Sequence, residues 1–436
     1  SNLPLSLTDM SAPVIGIASR TQTPKGLRLH IGLFGRRNAG KSSLINALTN
    51  QKIAIVSDVP GTTTDPVEKA CELAPIGPVV FIDTAGVDDV GELGGLRTER
   101  SLAVLGWVDV TLIVCDAKAL TESELELIRT VKSTATPTVV VLNKADTADA
   151  KELIATQEQV RSLGYEPVTV CASQKLNIDA VREAIVKLAQ NAVEPDLPLL
   201  GDLVHPGDTV MLVTPIDTGA PKGRMILPQV QAIREVLDAD AKCIVVRENR
   251  LAETLTNEKE PPAFVVTDSQ VVQSVVAQTP KTIPVTTFSI QMAYSKCDLV
   301  EMARGAAMID FLRPGDKVMI CETCSHHPQP DDIGRKKLPR WLAKKVGGEL
   351  DIEVVVGKDF PVDLTPYKLI LQCGGCVVTR RHMLTRLAQA KRQNIPMTNY
   401  GVAISHLQGV LERALELHPK ALKAFHEARE IFANHF

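Results

Sequence analysis

Residues 35–43 read GRRNAGKSS, closing the apolar run LRLHIGLFG that begins at Leu27. From Gly35 to Ser42 they fit G-x-x-x-x-G-K-[ST], with a predicted strand before and a predicted helix after. Gly35 and Gly40 free the backbone so that N–H groups, that of Ala39 among them, converge on phosphates. The dipole of the following helix, which opens through Ser42 and Ser43, adds to that attraction. Lys41 is expected to reach the β- and γ-phosphates and Ser42 to ligate Mg²⁺.

Working outward, 83-DTAG-86 supplies Asp83 at a predicted strand end for the magnesium shell and Gly86, whose N–H can sense a γ-phosphate. The stretch 143-NKAD-146 ends another predicted strand. Its Asn143, Lys144 and Asp146 suit guanine, because a carboxylate can accept from both N1–H and the exocyclic amine. Residues 171-CAS-173 follow the next strand and place Ala172 and Ser173 to hold the base. Between the loop and DTAG stands 61-GTTTDP-66, a threonine-rich turn suited to a switch. Together these motifs predict a GTP site on a parallel-rich α/β sheet.

The apolar runs at LRLHIGLFG, VVFIDTAG, VTLIVCDA, TPTVVVLNK and PVTVCAS lie between helical patterns, as expected for parallel strands buried on both faces. At 436 residues the chain exceeds one ordinary domain. The expected order is a lead over 1–26, a P-loop domain over 27–192 and a proline-rich linker over 193–208. A smaller α/β block follows over 209–297, and a second over 298–436. The middle block holds strands without visible chemistry, and an edge strand there is expected to make a homodimer.

Net charge is −3, with pI near 6.3. No global basic field or KH-type module points to nucleic acid. No apolar run approaches the ~20 residues of a membrane span. The first 25 residues have neither a basic start nor a clear apolar core, unlike a signal peptide. Nine cysteines include two Cys-x-x-Cys pairs, at 318-VMICETCSHH-327 and 371-LQCGGC-376, and the rest are scattered singly. That usage suits a reducing compartment, the cytoplasm or an organelle interior, and a metal or dithiol site. Both pairs are expected just past the carboxyl ends of strands, where α/β sheets place ligands. About fifty residues separate them, too many for the usual zinc ribbon, although ligands need only meet in space.

The nucleotide motifs resemble the translation-factor-related GTPases, in the branch of tRNA-modification and ribosome-assembly enzymes. That resemblance implies a potassium ion held by Asn38 and the threonine loop through Thr62, standing in for an arginine finger. It implies Thr63 as the switch threonine on Mg²⁺. Val87 stands where Ras-like proteins carry a water-orienting glutamine, which implies slow intrinsic hydrolysis, and Glu92 is a weak match to the family acid. Lys41, Asn38, Thr63 and Gly86 are the catalytic candidates.

Taken with C-S-H-H, the long spacer, C-G-G-C and the three-block order, the chain resembles the HydF family of FeFe-hydrogenase maturation GTPases. The resemblance implies a 4Fe–4S cluster on Cys324, Cys373 and Cys376, with one iron left exchangeable. Gln372 stands where that family has a histidine. The fourth-ligand candidates are then His326, His327, Asp331, Asp332, water or a residue of another subunit. Cys321 matches no family ligand. The implied role is a scaffold that carries a di-iron precursor from radical-SAM maturases to apo FeFe-hydrogenase. Two other readings stand beside it, a ribosome- or tRNA-directed GTPase with a zinc-stabilised C-terminal domain and a redox-sensing GTPase with a dithiol switch.

Overall fold

The computed structural model describes residues 28–49, 67–73, 76–84, 103–134, 136–192, 197–215, 225–323, 333–357 and 360–434. Three sheets follow one another along the chain. The first contains β1 (Leu29–Phe34), β2 (Val67–Leu73), β3 (Gly77–Asp83), β4 (Val110–Asp116), β5 (Thr138–Asn143) and β6 (Val168–Thr169), in the order β2-β3-β1-β4-β5-β6. Every pairing is parallel except β2 with β3. Alternate residues of each central strand enter opposite cores. Ile31 and Leu33 pack under the helices Lys41–Thr49 and Ile178–Ala192, while Phe34 and Ile113 pack under Glu122–Ser133. Burial on both faces is why these strands are continuously apolar.

β2 is absent from the apolar-run reading. Its sequence, VEKACEL, alternates charge with small apolar groups as an edge strand does, so the run is not apolar enough to register.

The second sheet contains β7 (Thr209–Val213), β8 (Lys242–Val246), β9 (Phe264–Thr267) and β10 (Val285–Thr287), ordered β10-β9-β7-β8 and parallel throughout. The run 284-PVTTFSI-290 divides between a strand and a helix. After β10 the Thr287 side chain accepts from Ile290 N at 3.1 Å and caps the helix Phe288–Lys296. Leu199, Leu200 and Val204, within the segment read as a linker, pack into this sheet's core. The Glu235 carboxylate fixes them there, accepting from the backbone N–H groups of Leu199, Leu200 and Gly201 at 3.0, 2.6 and 3.1 Å.

The third sheet contains β11 (Lys317–Glu322), β12 (Asp351–Val356), β13 (Leu369–Gln372) and β14 (Met397–Asn399), ordered β12-β11-β13-β14 and again parallel. The basic stretch 334-GRKKLPRWLAKKV-346 lies on a π-helical turn, Ile333–Lys337, followed by the α-helix Leu338–Val346. Helix Phe288–Lys296 joins the second and third sheets. Phe288 and Met292 enter the second core, and Ile290 and Ala293 enter the third. The first domain meets the third where Trp107 stacks on His382, with ring centroids 6.0 Å apart, and where Arg381 donates to Thr136 Oγ1 at 3.1 Å. Among the described residues no helix is long and apolar enough to cross a membrane.

Candidate functional site

The loop between β1 and helix Lys41–Thr49 turns through three positive φ angles, at Gly35 (143°), Asn38 (64°) and Gly40 (94°). A Cβ on Gly35 would lie 2.2 Å from Val114 O, and one on Gly40 would lie 2.1 Å from Asn143 Nδ2. Both positions therefore require glycine for space as well as conformation. Lys41 closes over the loop, donating from Nζ to Gly35 O at 2.9 Å and to Arg36 O at 3.2 Å. Ser42, in the first turn of the helix, lies close to Asp83 at the end of β3. Burial pushes the Asp83 carboxyl up, opposed by the charges of Lys41 and Lys69 and by the Ser42 hydroxyl. Among the described residues Asp83 Oδ1 is buried without a hydrogen-bond partner. An oxygen-rich corner with an unsatisfied carboxylate suits Mg²⁺, with Ser42 and Asp83 as its holders. Ser43 is exposed one residue further along the helix. Thr62, Thr63, Gly86, Val87 and Glu92 lie outside the described residues.

The base side of the site is tied to the phosphate side through Asn143. Its Nδ2 donates to Ala39 O at 2.9 Å, and its Oδ1 accepts from Ala172 N at 3.0 Å. Lys144 adopts a left-handed φ of 62° and reaches Asp116 at 3.4 Å, beside Arg36 at 3.3 Å. Asp146 stays exposed, and its carboxylate accepts from Cys171 Sγ at 3.0 Å. Ser173 Oγ lies 3.3 Å from that sulfur. Asn143, Lys144, Asp146, Ala172 and Ser173 thus gather at the carboxyl edge of β5 and β6.

At the third sheet, the loop 373–376 leaves β13 beside the end of β11. Cys373 N donates to Cys321 O at 2.9 Å. The Cys373 sulfur accepts from Thr323 N at 3.2 Å and from Gln372 Nε2 at 3.5 Å, and Thr323 Oγ1 stands 3.1 Å away. Donors converging on one sulfur suit a metal-bound cysteine. Gln372 is fully buried, and its Oε1 accepts from Arg386 Nη1 at 2.9 Å. That bond points the amide nitrogen, a donor, toward Cys373. Burial pushes the Cys376 thiol up, as does the charge of Cys373, while Lys296 pulls the other way.

One expectation is corrected here. Cys321 lies inside β11, not past its end, and burial pushes its thiol up to about 12. The apolar run simply extends through it. Among the described residues no group of three or more His, Cys, Asp or Glu could hold a metal ion. Cys324, His326, His327, Asp331 and Asp332 lie outside the described residues, so the structure brings together Cys373 and Cys376 of the expected ligands.

Residues 199–297 match the hydrogen maturase F dimerization domain, and residues 300–417 match the hydrogen maturase F tetramerization domain. The chain belongs to the hydrogen maturase F family. Residues 30–144 match the 50S ribosome-binding GTPase family, so the first domain is a P-loop GTPase domain, a fold that takes GTP with Mg²⁺. Over 167 residues the chain is 38% identical to the tRNA modification GTPase MnmE of Trichormus variabilis, covering 37% of this chain and 34% of that protein. Over 174 residues it is 34% identical to the GTPase Der of Sulfurihydrogenibium sp., covering 38% of this chain and 39% of that one. The chain thus spans between about a third and two fifths of the length of these relatives.

Within this hydrogen maturase F chain, motif reading passed over three buried cations that the fold brings to the two sites. Lys69 stands beside Asp83. Lys296 is 1% exposed at the end of helix Phe288–Lys296 and donates to Val378 O at 2.8 Å. Arg386 is 2% exposed and also donates to Gly357 O at 2.9 Å. Only Lys296 carried a signal, as the one charged residue of FSIQMAYSK, whereas Lys69 and Arg386 lie among other charges in VEKACEL and RRHMLTRLAQAKR.

Proposed function

We propose that the protein is a GTP-hydrolysing scaffold of FeFe-hydrogenase maturation. It binds one 4Fe–4S cluster through Cys324, Cys373 and Cys376 and carries a di-iron precursor as cargo to the apo-hydrogenase, receiving it from radical-SAM maturases. The observation that carries this is the Cys373 sulfur, gathering donors at a sheet edge inside a hydrogen maturase F domain. Lys296 and Arg386 place two buried positive charges around the same loop, and such charge favours an anionic cluster. When bound, the cluster supplies an iron site open to an exchangeable ligand. The hydrogen maturase F matches favour this reading over a ribosome- or tRNA-directed one.

In the first domain Lys41 and the loop N–H groups cradle the phosphates, with Ser42, Thr63 and Asp83 on Mg²⁺, Gly86 at the γ-phosphate, and Asn143 and Asp146 at guanine. Asn38 and Thr62 would hold potassium, which would supply positive charge against the transferring phosphoryl group. The Trp107–His382 stack offers a path between the domains, because His382 belongs to helix Arg380–Arg392, which follows the cysteine loop.

Anaerobic purification with iron, zinc and sulfide analysis tests the reading. Serine at Cys324, Cys373 or Cys376 is expected to strip iron each time, while Cys321→Ser keeps most of it. Zinc in place of iron, together with a site emptied by Cys321→Ser, would overturn the scaffold assignment.

A further inference from the structure

β2 brings to the nucleotide site a cation that none of the GTPase motifs contains. Lys69 is only 6% exposed, and its Nζ is buried without a hydrogen-bond partner among the described residues. The antiparallel register sets Val67 against Asp83 and Lys69 against Phe81. Lys69 and Asp83 are therefore diagonal neighbours on one face of the sheet, a separation that a long side chain spans. Phe81 packs in the core beneath helix Lys41–Thr49, so this is the face from which Lys41 and Ser42 approach. Among the described residues Asp83 Oδ1 is itself buried and without a hydrogen-bond partner. An ammonium and a carboxylate oxygen, each without a hydrogen bond, thus share the corner suited to Mg²⁺.

Two facts make this more than an accident of packing. A buried ammonium is costly to desolvate, and a neutral side chain of similar volume would fit the same apolar face more cheaply. The charges of Lys69 and Asp83 also act on each other. Burial lowers the lysine pKa, and the carboxylate opposes that shift.

We propose that Lys69 competes with Mg²⁺ for Asp83, and so holds the Mg²⁺ affinity of the nucleotide site below what Ser42 and Asp83 would give without it. Without the metal, the ammonium offsets the negative charge of Asp83. When Mg²⁺ arrives, the same charge opposes it. The nucleotide-free or metal-free domain is thereby stabilised relative to the Mg²⁺ complex, which favours release of GDP after hydrolysis. Lys69 is a positioning residue in this scheme, acting through Asp83. The inference rests on reading this corner as a Mg²⁺–GTP site.

The test uses the full chain loaded with a fluorescent GDP analogue, following its release as free Mg²⁺ is varied. Lys69→Met is expected to move the Mg²⁺ midpoint about tenfold lower, as removal of a nearby positive charge should. Lys69→Arg, which keeps the charge, is expected to stay near the wild-type midpoint. In an Asp83→Asn background Lys69→Met is expected to lose its effect, because the two side chains act as a pair. If the methionine variant folds poorly, Lys69→Gln removes the charge while keeping a polar group, and the same shift is expected. A midpoint that does not move, or that moves to higher Mg²⁺, overturns the proposal. Wild-type release that ignores Mg²⁺ altogether would instead defeat the metal-site reading and take the proposal with it.

Discussion

Acid is expected to loosen the junction between the second and third sheets through one histidine. His418 precedes helix Pro419–Ala433, and its Nε2 stands 2.9 Å from Gln291 Nε2 and 3.3 Å from Gln291 Oε1. Gln291 is fully buried on helix Phe288–Lys296, and the Tyr294 ring of the same helix lies 4.9 Å from the imidazole. Burial lowers the His418 pKa to about 4 from 6.5, although the charge of Asp202 opposes the shift. The folded state therefore binds fewer protons than the unfolded state between about pH 6.5 and about pH 4. Stability must fall as pH drops through that window. From about pH 7 to about pH 4.5 the loss attributable to His418 is roughly 2–2.5 kcal/mol. Hydrogen exchange of the helix Phe288–Lys296 amides, corrected for the intrinsic pH dependence, reads it directly. Protection in the wild type should drop by about fifty-fold over that interval, since every 1.4 kcal/mol is tenfold. His418→Gln keeps hydrogen-bonding capacity without a titrating ring, and should remove most of that drop. An equal drop in wild type and variant would refute the reasoning.

Gly40→Ala forces a Cβ to within 2.1 Å of Asn143 Nδ2 at a φ of 94°, so GTP affinity should fall at least about tenfold while the second and third sheets stay folded. Equilibrium binding of a fluorescent GTP analogue, with circular dichroism as the folding control, checks it. Asp146→Asn should relax base choice toward xanthine nucleotides, because an amide presents a donor where the carboxylate accepts; competition binding with XTP and GTP measures the change. β8 is an edge strand of the second sheet and Val245 on it is 42% exposed. A Val245→Asp change should therefore weaken self-association, and light scattering across a concentration series would show the shift to smaller species. GTP hydrolysis should run faster in potassium than in sodium, and equal steady-state rates would remove the role assigned to Asn38.

Much of the first domain was legible because its chemistry is local in sequence. A phosphate loop needs glycines at fixed offsets and a lysine at the helix start, and Gly35, Gly40 and Lys41 state this in a single stretch. The central strands are likewise legible, since burial on both faces demands uninterrupted apolar residues. Edge and capping positions are not. β2 alternates in polarity, β14 is short, and PVTTFSI becomes strand then helix only because Thr287 caps the helix Phe288–Lys296.

Tertiary structure decided which charges meet. Sequence placed Asp83 in a motif, but only the antiparallel register of β2 puts Lys69 diagonally across from it. Sequence offered Gln372 in a histidine's place, but only the packing of helix Arg380–Arg392 lets Arg386 hold its amide toward Cys373. Cys321 and Cys373 look alike along the chain. The fold buries one inside a strand and gives the sulfur of the other hydrogen-bond donors, because desolvation and donor geometry depend on neighbours that sequence spacing does not specify.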